Sequence, residues 1–402
     1  MAKIDRYNGN LKAFASEATG TERTIFGDTA QSDTLDANIT MDLLRGWGVI
    51  GVASNPTKQH FNGLAFTLGQ LIAYLHQRGI AEWNTAQEYF DGSVVTTDVG
   101  VYRLKTGGDG SIDPDIDGGT NWELAPTLVQ SDITVTVGTG GDYPTINAAL
   151  EYLSKLQPVY ASAGITATIN LLTGFVMAEQ VLVRGLDLGW ITITGADAET
   201  TITNTALTTN FTAADYDFDS YPAFGVSKGG VLPRIDQLFR FDVANVGGNK
   251  HGIMAVGAGS SSDVLAGAGV NDAGSRGITA SRGATINAYL ANASGAGSNG
   301  IIAYNGSTIN AEAANASGAG NNGIIASRAS TINAYSADAS GAGSHGITAY
   351  NGSTINAEAA NASGAGDIGI FAYNGSTINA DGAGGTLSQA INTVTNNGII
   401  FQ

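Results

Sequence analysis

The sequence predicts a mainly β chain ending in a parallel β-helix, and three observations predict it. The first is a repeat. GITASRGATINAYLANASGAGSN opens at Gly277 and returns at Gly300, Gly323, Gly346 and Gly369, a strict 23-residue period. A frayed copy opens slightly more than one period earlier, at Gly252, and the interval from Gly369 to Gly398 is longer than a period. A period of this size signals a solenoid, in which each unit buries its face only against its neighbours. The second is alternation. Ile301 and Ala303, Ile324 and Ala326, then Ile309 and Ala311, Ile332 and Ala334 are two apart, the period of a strand and not of a helix. The third is that Gly, Ser, Thr and Asn fill the gaps as corners. Each repeat then adds about 4.8 Å of rise.

Composition bounds the function. Charged residues are 13% of 402, with a net charge of −17, and from Gly252 onward there are 3 basic and 7 acidic residues. Nucleic acid is excluded as a partner, since phosphate neutralisation needs Lys and Arg clusters. The absence of cysteine excludes disulfides and thiolate metal sites. The start, MAKIDRYNGN, lacks the apolar run of an export signal. No run of ~18 apolar residues exists for membrane insertion. No cofactor and no metal are expected.

Four regions follow in order. Residues 1–80 read as an attachment region, with short apolar pieces at Met41–Leu44 and Trp47–Val52. Asn55-Pro56 reads as the start of a helix over about 56–79. Its Phe61, Leu64, Leu68, Leu71 and Leu75 are spaced 3, 4, 3, 4, an a/d seam. The seam fits either packing on its own domain or a short oligomer interface.

Residues 81–126 form a small aromatic module with short strands at Val94-Val95 and Val99–Tyr102. Its Trp83, Tyr89, Gly92, Val94, Gly100, Tyr102 and closing Trp122-Glu123-Leu124 resemble the small three-stranded carbohydrate-binding modules of chitinases. Gly92-Ser93-Val94 departs from that family's Gly-Asp-x-Val. The resemblance implies sugar stacking on Trp83, Tyr89, Tyr102 and Trp122; the residues themselves equally fit a small core. Asp113, Asp115 and Asp117 open like a calcium loop, but Pro114 and Leu124 at the twelfth position depart from it, and a solvated turn is expected.

Residues 127–251 hold the cap and irregular first strands of the solenoid. Asp132–Val137 alternates as a strand, Gly138 to Asn147 is a Gly-rich turn, and Ala148–Leu156 reads as an amphipathic helix. Strands follow at Ala167–Leu172, Gln180–Val183 and Trp190–Thr194. This order resembles the opening of pectin-lyase-like β-helices, which implies a single-stranded, right-handed solenoid whose end is shielded by the helix. The 205–250 stretch carries Asp215, Asp217, Asp219, Arg234, Asp236, Arg240, Asp242 and, just beyond it, His251. It is the one place where carboxylates gather as glycoside cleavage requires. They equally fit a solvated edge.

Residues 252–402 are the regular repeats. Thr285, Thr308, Thr331, Thr354 and Thr377 form an outward row beside Asn287, Asn310, Asn333, Asn356 and Asn379, read as a self-satisfying amide ladder. Tyr304, Tyr350 and Tyr373 replace the Ser281 and Ser327 of other copies, and Tyr289 and Tyr335 alternate with Glu312 and Glu358. Tyrosines two repeats apart stand ~9.6 Å apart, a spacing that suits a glycan track. The outward site after each Ile reads Met254, Thr279, Ile302, Ile325, Thr348, Phe371. Apolar residues there predict contact with a neighbouring subunit, above all through Ile302, Ile325 and Phe371.

The succession of these parts, with VLPRIDQLFRFD before the GITA…GAGS repeats, resembles tail fibre and tailspike proteins of tailed bacteriophages. That resemblance implies a homotrimer located on the virion and made in the host cytoplasm. Its N-terminal region would meet baseplate or tail-tip proteins, and its β-helix would face a bacterial surface glycan. A structural, host-recognition role is expected. The alternative is a polysaccharide depolymerase, a lyase or glycoside hydrolase, which the charge-poor repeats argue against.

Overall fold

The computed structural model describes residues 12–19, 22–46, 56–125, 127–129, 131–158, 164–211, 219–243, 248–384, 392–395 and 397–401. Trp47–Val52, Asn55, Asp215, Asp217 and, within the 380–397 insertion, residues 385–391 and 396 lie outside them. The chain divides into two compact units, Met1–Pro126 and Thr127–Gln402.

In the first unit one long helix, Lys58–Arg78, dominates. It starts later than Asn55-Pro56 because Thr57 is the cap. The Thr57 hydroxyl accepts the His60 N–H at 3.2 Å and the His60 ring accepts the Thr57 N–H at 3.5 Å, a reciprocal capping box. Gly79, at φ +80°, ends it. The buried face is Gly63, Phe66, Thr67 and Ala73. A Cβ on Gly63 would lie 2.0 Å from the Thr24 carbonyl oxygen, so only glycine admits that approach. The Arg23 guanidinium lies 3.4 Å above the Phe66 ring. The leucine seam points elsewhere. Phe61 is 53% exposed, Leu68 51% and Leu75 51%, and Leu64 is half-buried. Among the described residues, Leu68, Leu71 and Leu75 of the seam stay exposed.

The aromatic module is a three-stranded antiparallel sheet of Val94–Thr96, Val101–Leu104 and Trp122–Leu124. The second strand begins at Val101, not Val99. Thr97 turns the chain instead: its N–H donates to Gly100 O at 2.8 Å and its hydroxyl accepts the Val99 N–H at 3.1 Å.

The second unit is built from parallel strands. Ile133–Val137, Ala167–Leu171, Ile191–Gly195 and Arg234–Asp236 form one sheet. Val176–Met177, Thr200–Ile202, Leu238–Phe241 and Gly269–Asn271 form a second. A nine-stranded sheet runs from Val181–Arg184 to Asn392–Thr395, and a seven-stranded sheet runs from Ser261–Asp263 to Ile399–Phe401. In the repeats the register steps by one full copy: Ile301 pairs with Ile324, Ile309 with Ile332, Asn310 with Asn333. A third line of parallel bridges joins Gly269, Asn292, Asn315, Asp338, Asn361 and Gly384. Successive copies are thus paired at three places.

The interior explains the residue choice. Each repeat contributes isoleucines such as Ile301 and Ile309 and alanines such as Ala303, Ala311, Ala314 and Ala316 to one continuous core. It is narrow. A Cβ on Gly300 would stand 2.7 Å from Ala316 Cβ, and one on Gly323 2.7 Å from Ala339 Cβ. Glycine heads the copies at Gly277, Gly300, Gly323 and Gly346 because the facing alanine leaves no room there. The Ile146–Leu153 helix adds Ile146, Ala149, Leu150 and Leu153 to this core. It stops before Leu156 because Leu156–Pro158 pairs as a strand with Thr127–Val129. Its start is capped twice: the Thr145 hydroxyl accepts the Ala148 N–H at 3.1 Å, and Glu179 accepts the N–H groups of Ile146 (2.7 Å) and Asn147 (3.1 Å). Burial raises the Glu179 pKa, and those N–H donors oppose the rise.

Candidate saccharide-binding face

On the nine-stranded sheet, alternation sends two rows away from the Ile/Ala core. Register aligns Met254, Thr279, Ile302, Ile325, Thr348 and Phe371 in one, and Val256, Ser281, Tyr304, Ser327, Tyr350 and Tyr373 in the other. Outward does not mean exposed here. Ile302 and Ile325 are 6% and 3% exposed and cluster with Tyr304 and Tyr350. Met254 packs with Val256 and Phe211. The expectation that Ile302 and Ile325 meet a neighbouring subunit is therefore corrected: long side chains of adjacent repeats cover them. Phe371 is half-buried, stacked on His345 at 5.3 Å and on Tyr373 at 6.0 Å.

A cleft of ≈ 280 Å³ opens on this face, lined by Arg276, Ile302, Tyr304, Ser327, Arg328, Tyr350 and Asn351. Arg276 lies 5.5 Å from the Tyr304 ring centre, within cation–π range, and its Nη1 is 3.5 Å from the Tyr304 hydroxyl. Arg328 donates to Asn305 Oδ1 at 3.3 Å. Tyr304 is 9% exposed, and Tyr350 and Tyr373 are half-buried. The cleft brings Tyr304 and Tyr350 together; Tyr373, the register partner of Tyr350, is not among its described lining residues. Such a wall offers ring faces, phenol and amide hydrogen bonds, and two guanidinium groups. Sequence reasoning missed Arg276. The signal was present: the same position in the next three copies holds Asn299, Asn322 and His345, all polar, before Ile368 breaks the pattern.

Two ladders flank the face. Asn379, Asn356, Asn333, Asn310 and Asn287 each donate to the residue one repeat before, at 2.7–3.1 Å, ending on Asp263. Beside them the Thr row is exposed at Thr285, Thr308, Thr331 and Thr354. A second ladder was not anticipated: the N–H groups of Gly283, Ser307, Ser330 and Ser353 donate to the hydroxyls of Ser307, Ser330, Ser353 and Ser376 at 3.1–3.2 Å.

The aromatic module is no stacking platform at Tyr102 and Trp122. Both are buried, at 8% and 0%, as its core with Val95 and Leu104, and Trp83 and Tyr89 pack against them. Trp122 donates to Ile112 O at 2.8 Å and Trp83 to Gly110 O at 3.1 Å. Tyr89 meets Trp122 edge-on at 5.6 Å. Burial, helped by Asp115, pushes the Tyr102 phenol up to about 12. The Asp117 carboxylate accepts the N–H groups of Asn121 (2.7 Å) and Trp122 (2.9 Å), a turn-closing role.

The 205–250 candidates and His251 are dispersed. Arg234 and Asp236 lie in one sheet, Arg240 in a second and His251 in the third. Arg234 pairs with Asp263 at 3.0 Å, and Arg240 with Asp272 (2.8 Å) and Glu199 (3.2 Å). Asp242 accepts the Asn204 N–H at 3.0 Å and Asp219 the Asn210 amide. Among the described residues no cluster of His, Asp and Glu is placed to hold a metal, and no helix is long and apolar enough to cross a membrane. Comparison with protein-family models and with curated proteins finds no match.

Proposed function

We propose that Thr127–Gln402 is a right-handed parallel β-helix, and that the chain is a structural, host-recognition protein of a bacteriophage tail, a tail fibre or tailspike. The observation that carries this reading is the copy-to-copy register held through both long sheets. It makes a rod whose polar groups satisfy one another through the Asn and Ser ladders. Such a rod is suited to holding a surface away from its anchor. The cleft at Tyr304 and Tyr350 supports a surface that meets glycans, and the region before Pro126 is assigned to baseplate or tail-tip attachment. The rod acts by binding rather than cleaving: Asp219, Arg234, Arg240 and Asp242 are engaged by other side chains or turns, and His251 is buried on a different sheet. Antibody labelling of intact particles tests the reading. Gold at the tail tip supports it, and absence of the protein from purified particles overturns it. Chain shortening of host capsule by the purified protein would overturn the non-cleaving part.

The exposed Leu68, Leu71 and Leu75 support a homotrimer zipped along the Lys58–Arg78 helix, since leucines of a heptad seam left in water are an association surface. Light scattering of the full chain should give three times the chain mass. A monomer mass defeats the trimer.

A further inference from the structure

The cleft lies where the chain's charge is least expected. From Gly252 onward there are 3 basic residues, and two of them, Arg276 and Arg328, line this one cleft. Among its described lining residues none is acidic, although the chain carries −17 overall. The tyrosines flanking the guanidinium groups are those that replace serine in other copies. Two further hydroxyls on these rows, Thr279 Oγ1 and Ser281 Oγ, are fully buried with no hydrogen-bond partner among the described residues. Register pairs Ser281 with Tyr304, so an unsatisfied donor stands beside the cleft wall.

From these groups we infer that the cleft binds an acidic pyranose, a sugar ring bearing a carboxylate or phosphate. Tyr350 and Tyr304 take the ring's apolar face, and Arg276 and Arg328 take the anion. A guanidinium is the side chain whose fork matches a carboxylate or phosphate, and aromatic faces supply the stacking that a neutral polar wall would not. The inference rests on the reading of this rod as a glycan-binding surface and narrows it to one charge class.

The repeats supply variants that keep the fold. Asn299 is the register partner of Arg276, and Ser327 that of Tyr350. Asn305 and Asn351 stand where Arg328 does, one copy before and one after, and all three adopt a left-handed φ near +55°, which asparagine tolerates better than most residues. Arg276→Asn, Arg328→Asn and Tyr350→Ser therefore each import a residue the stack already holds there; the arginine variants should melt like the parent, and Tyr350→Ser, which uncovers part of the Ile302 and Ile325 cluster, should melt slightly lower while staying folded.

Calorimetric titration of the full chain with oligoglucuronate, with glucose 6-phosphate and with a neutral glucose oligomer tests the assignment. One acidic ligand should bind at least about tenfold more tightly than the neutral one, each arginine variant losing about tenfold for it. Tyr350→Ser should lose the acidic ligand as well. Which acidic probe binds separates carboxylate from phosphate recognition. Equal binding of the neutral oligomer, arginine variants that bind like the parent, or no binding by either acidic probe overturns the inference. Neutral binding that depends on Tyr350 alone would overturn it while leaving glycan recognition intact. Particle labelling decides the tail-protein reading separately.

Discussion

The first strands of the second unit and the copied repeats do the same structural job with opposite materials. Before Gly252 the core holds Phe224 against Phe239 at 4.9 Å, with Phe241, Met177 and Leu171. Outside it, charges pair across different strands, as Arg240 does with Glu199 and Asp272. After Gly252 the core is mostly isoleucine and alanine and the outside is amide and hydroxyl. A non-repeating region can match each residue to a different neighbour. A copied repeat sets every residue beside its own image about 4.8 Å away. Only side chains that satisfy themselves suit that arrangement: Asn and Ser both donate and accept, and Ile and Ala pack on their like. A charge stacked on itself repels.

The comparison can be broken first where the core is bulkiest. Phe239→Ala should destabilise the second unit by ~3–5 kcal/mol, as large core truncations do, against ~2–4 kcal/mol for Ile332→Ala in the repeats; chemical denaturation ranks them. At the junction sits His251, 2% exposed. Burial, then the Arg276 charge, hold its pKa down at about 3 against an ordinary 6.5. The folded value lies below the unfolded one, so as pH falls the unfolded chain takes the proton first. The stability tied to neutral His251 is complete above the unfolded value and declines from pH 6.5 toward 3. At pH 5 the loss should be about 2 kcal/mol, and His251→Gln should flatten that slope in denaturation curves at pH 7 and pH 5.

Within the repeats, Gly323→Ala sets a methyl 2.7 Å from Ala339 Cβ and 2.8 Å from the Gly346 carbonyl. The expected destabilisation is ~1–3 kcal/mol. Gly384→Ala, with nothing within 4 Å of its Cβ among the described residues, should leave the melting temperature unchanged; equal effects would refute the narrow-wall argument. Smallest is the ladder. Asn333→Ala removes the two ladder bonds, to Asn310 and from Asn356, and a longer one to Glu312 at 3.4 Å, for ~1–2 kcal/mol in all. Asn379→Ala, which removes one inter-repeat amide bond, should show about half of that.

The repeat register, the Asn row and the strands at Ala167–Leu171 and Ile191–Gly195 were legible because they depend on spacing alone. What stayed hidden depends on contacts far along the chain. Glu179 caps a helix whose first residue, Ile146, lies well before it in the chain, and nothing local marks it. The serine ladder reads as turn chemistry until copies are stacked. Alternation correctly put Ile302 and Ile325 outside the Ile/Ala core, but it cannot say that tyrosines and neighbouring repeats cover them. The module's Trp122 and Tyr102 carry the same letters whether they stack on sugar or on each other; domain size decided for the core. In the cleft, Tyr304 and Tyr350 were legible as a periodic exception, whereas Arg276 lies one position ahead of the glycine from which each copy was counted.

Two of the charged exceptions to self-stacking keep a beat of two, whereas Glu358 and Asp381 hold the same position in adjacent copies. Arg282 and Arg328 are separated by Asn305, and Glu312 and Glu358 by Tyr335. The two arginines, and likewise the two glutamates, stand ~9.6 Å apart, near the distance over which physiological salt screens them. Losing Gly300–Asn322 would set Arg282 directly against Arg328, and losing Gly323–His345 would set Glu312 against Glu358. Losing both together recreates the original alternation. Removing a pair of copies therefore preserves the alternation of these arginines and glutamates, and removing a single copy brings like charges together.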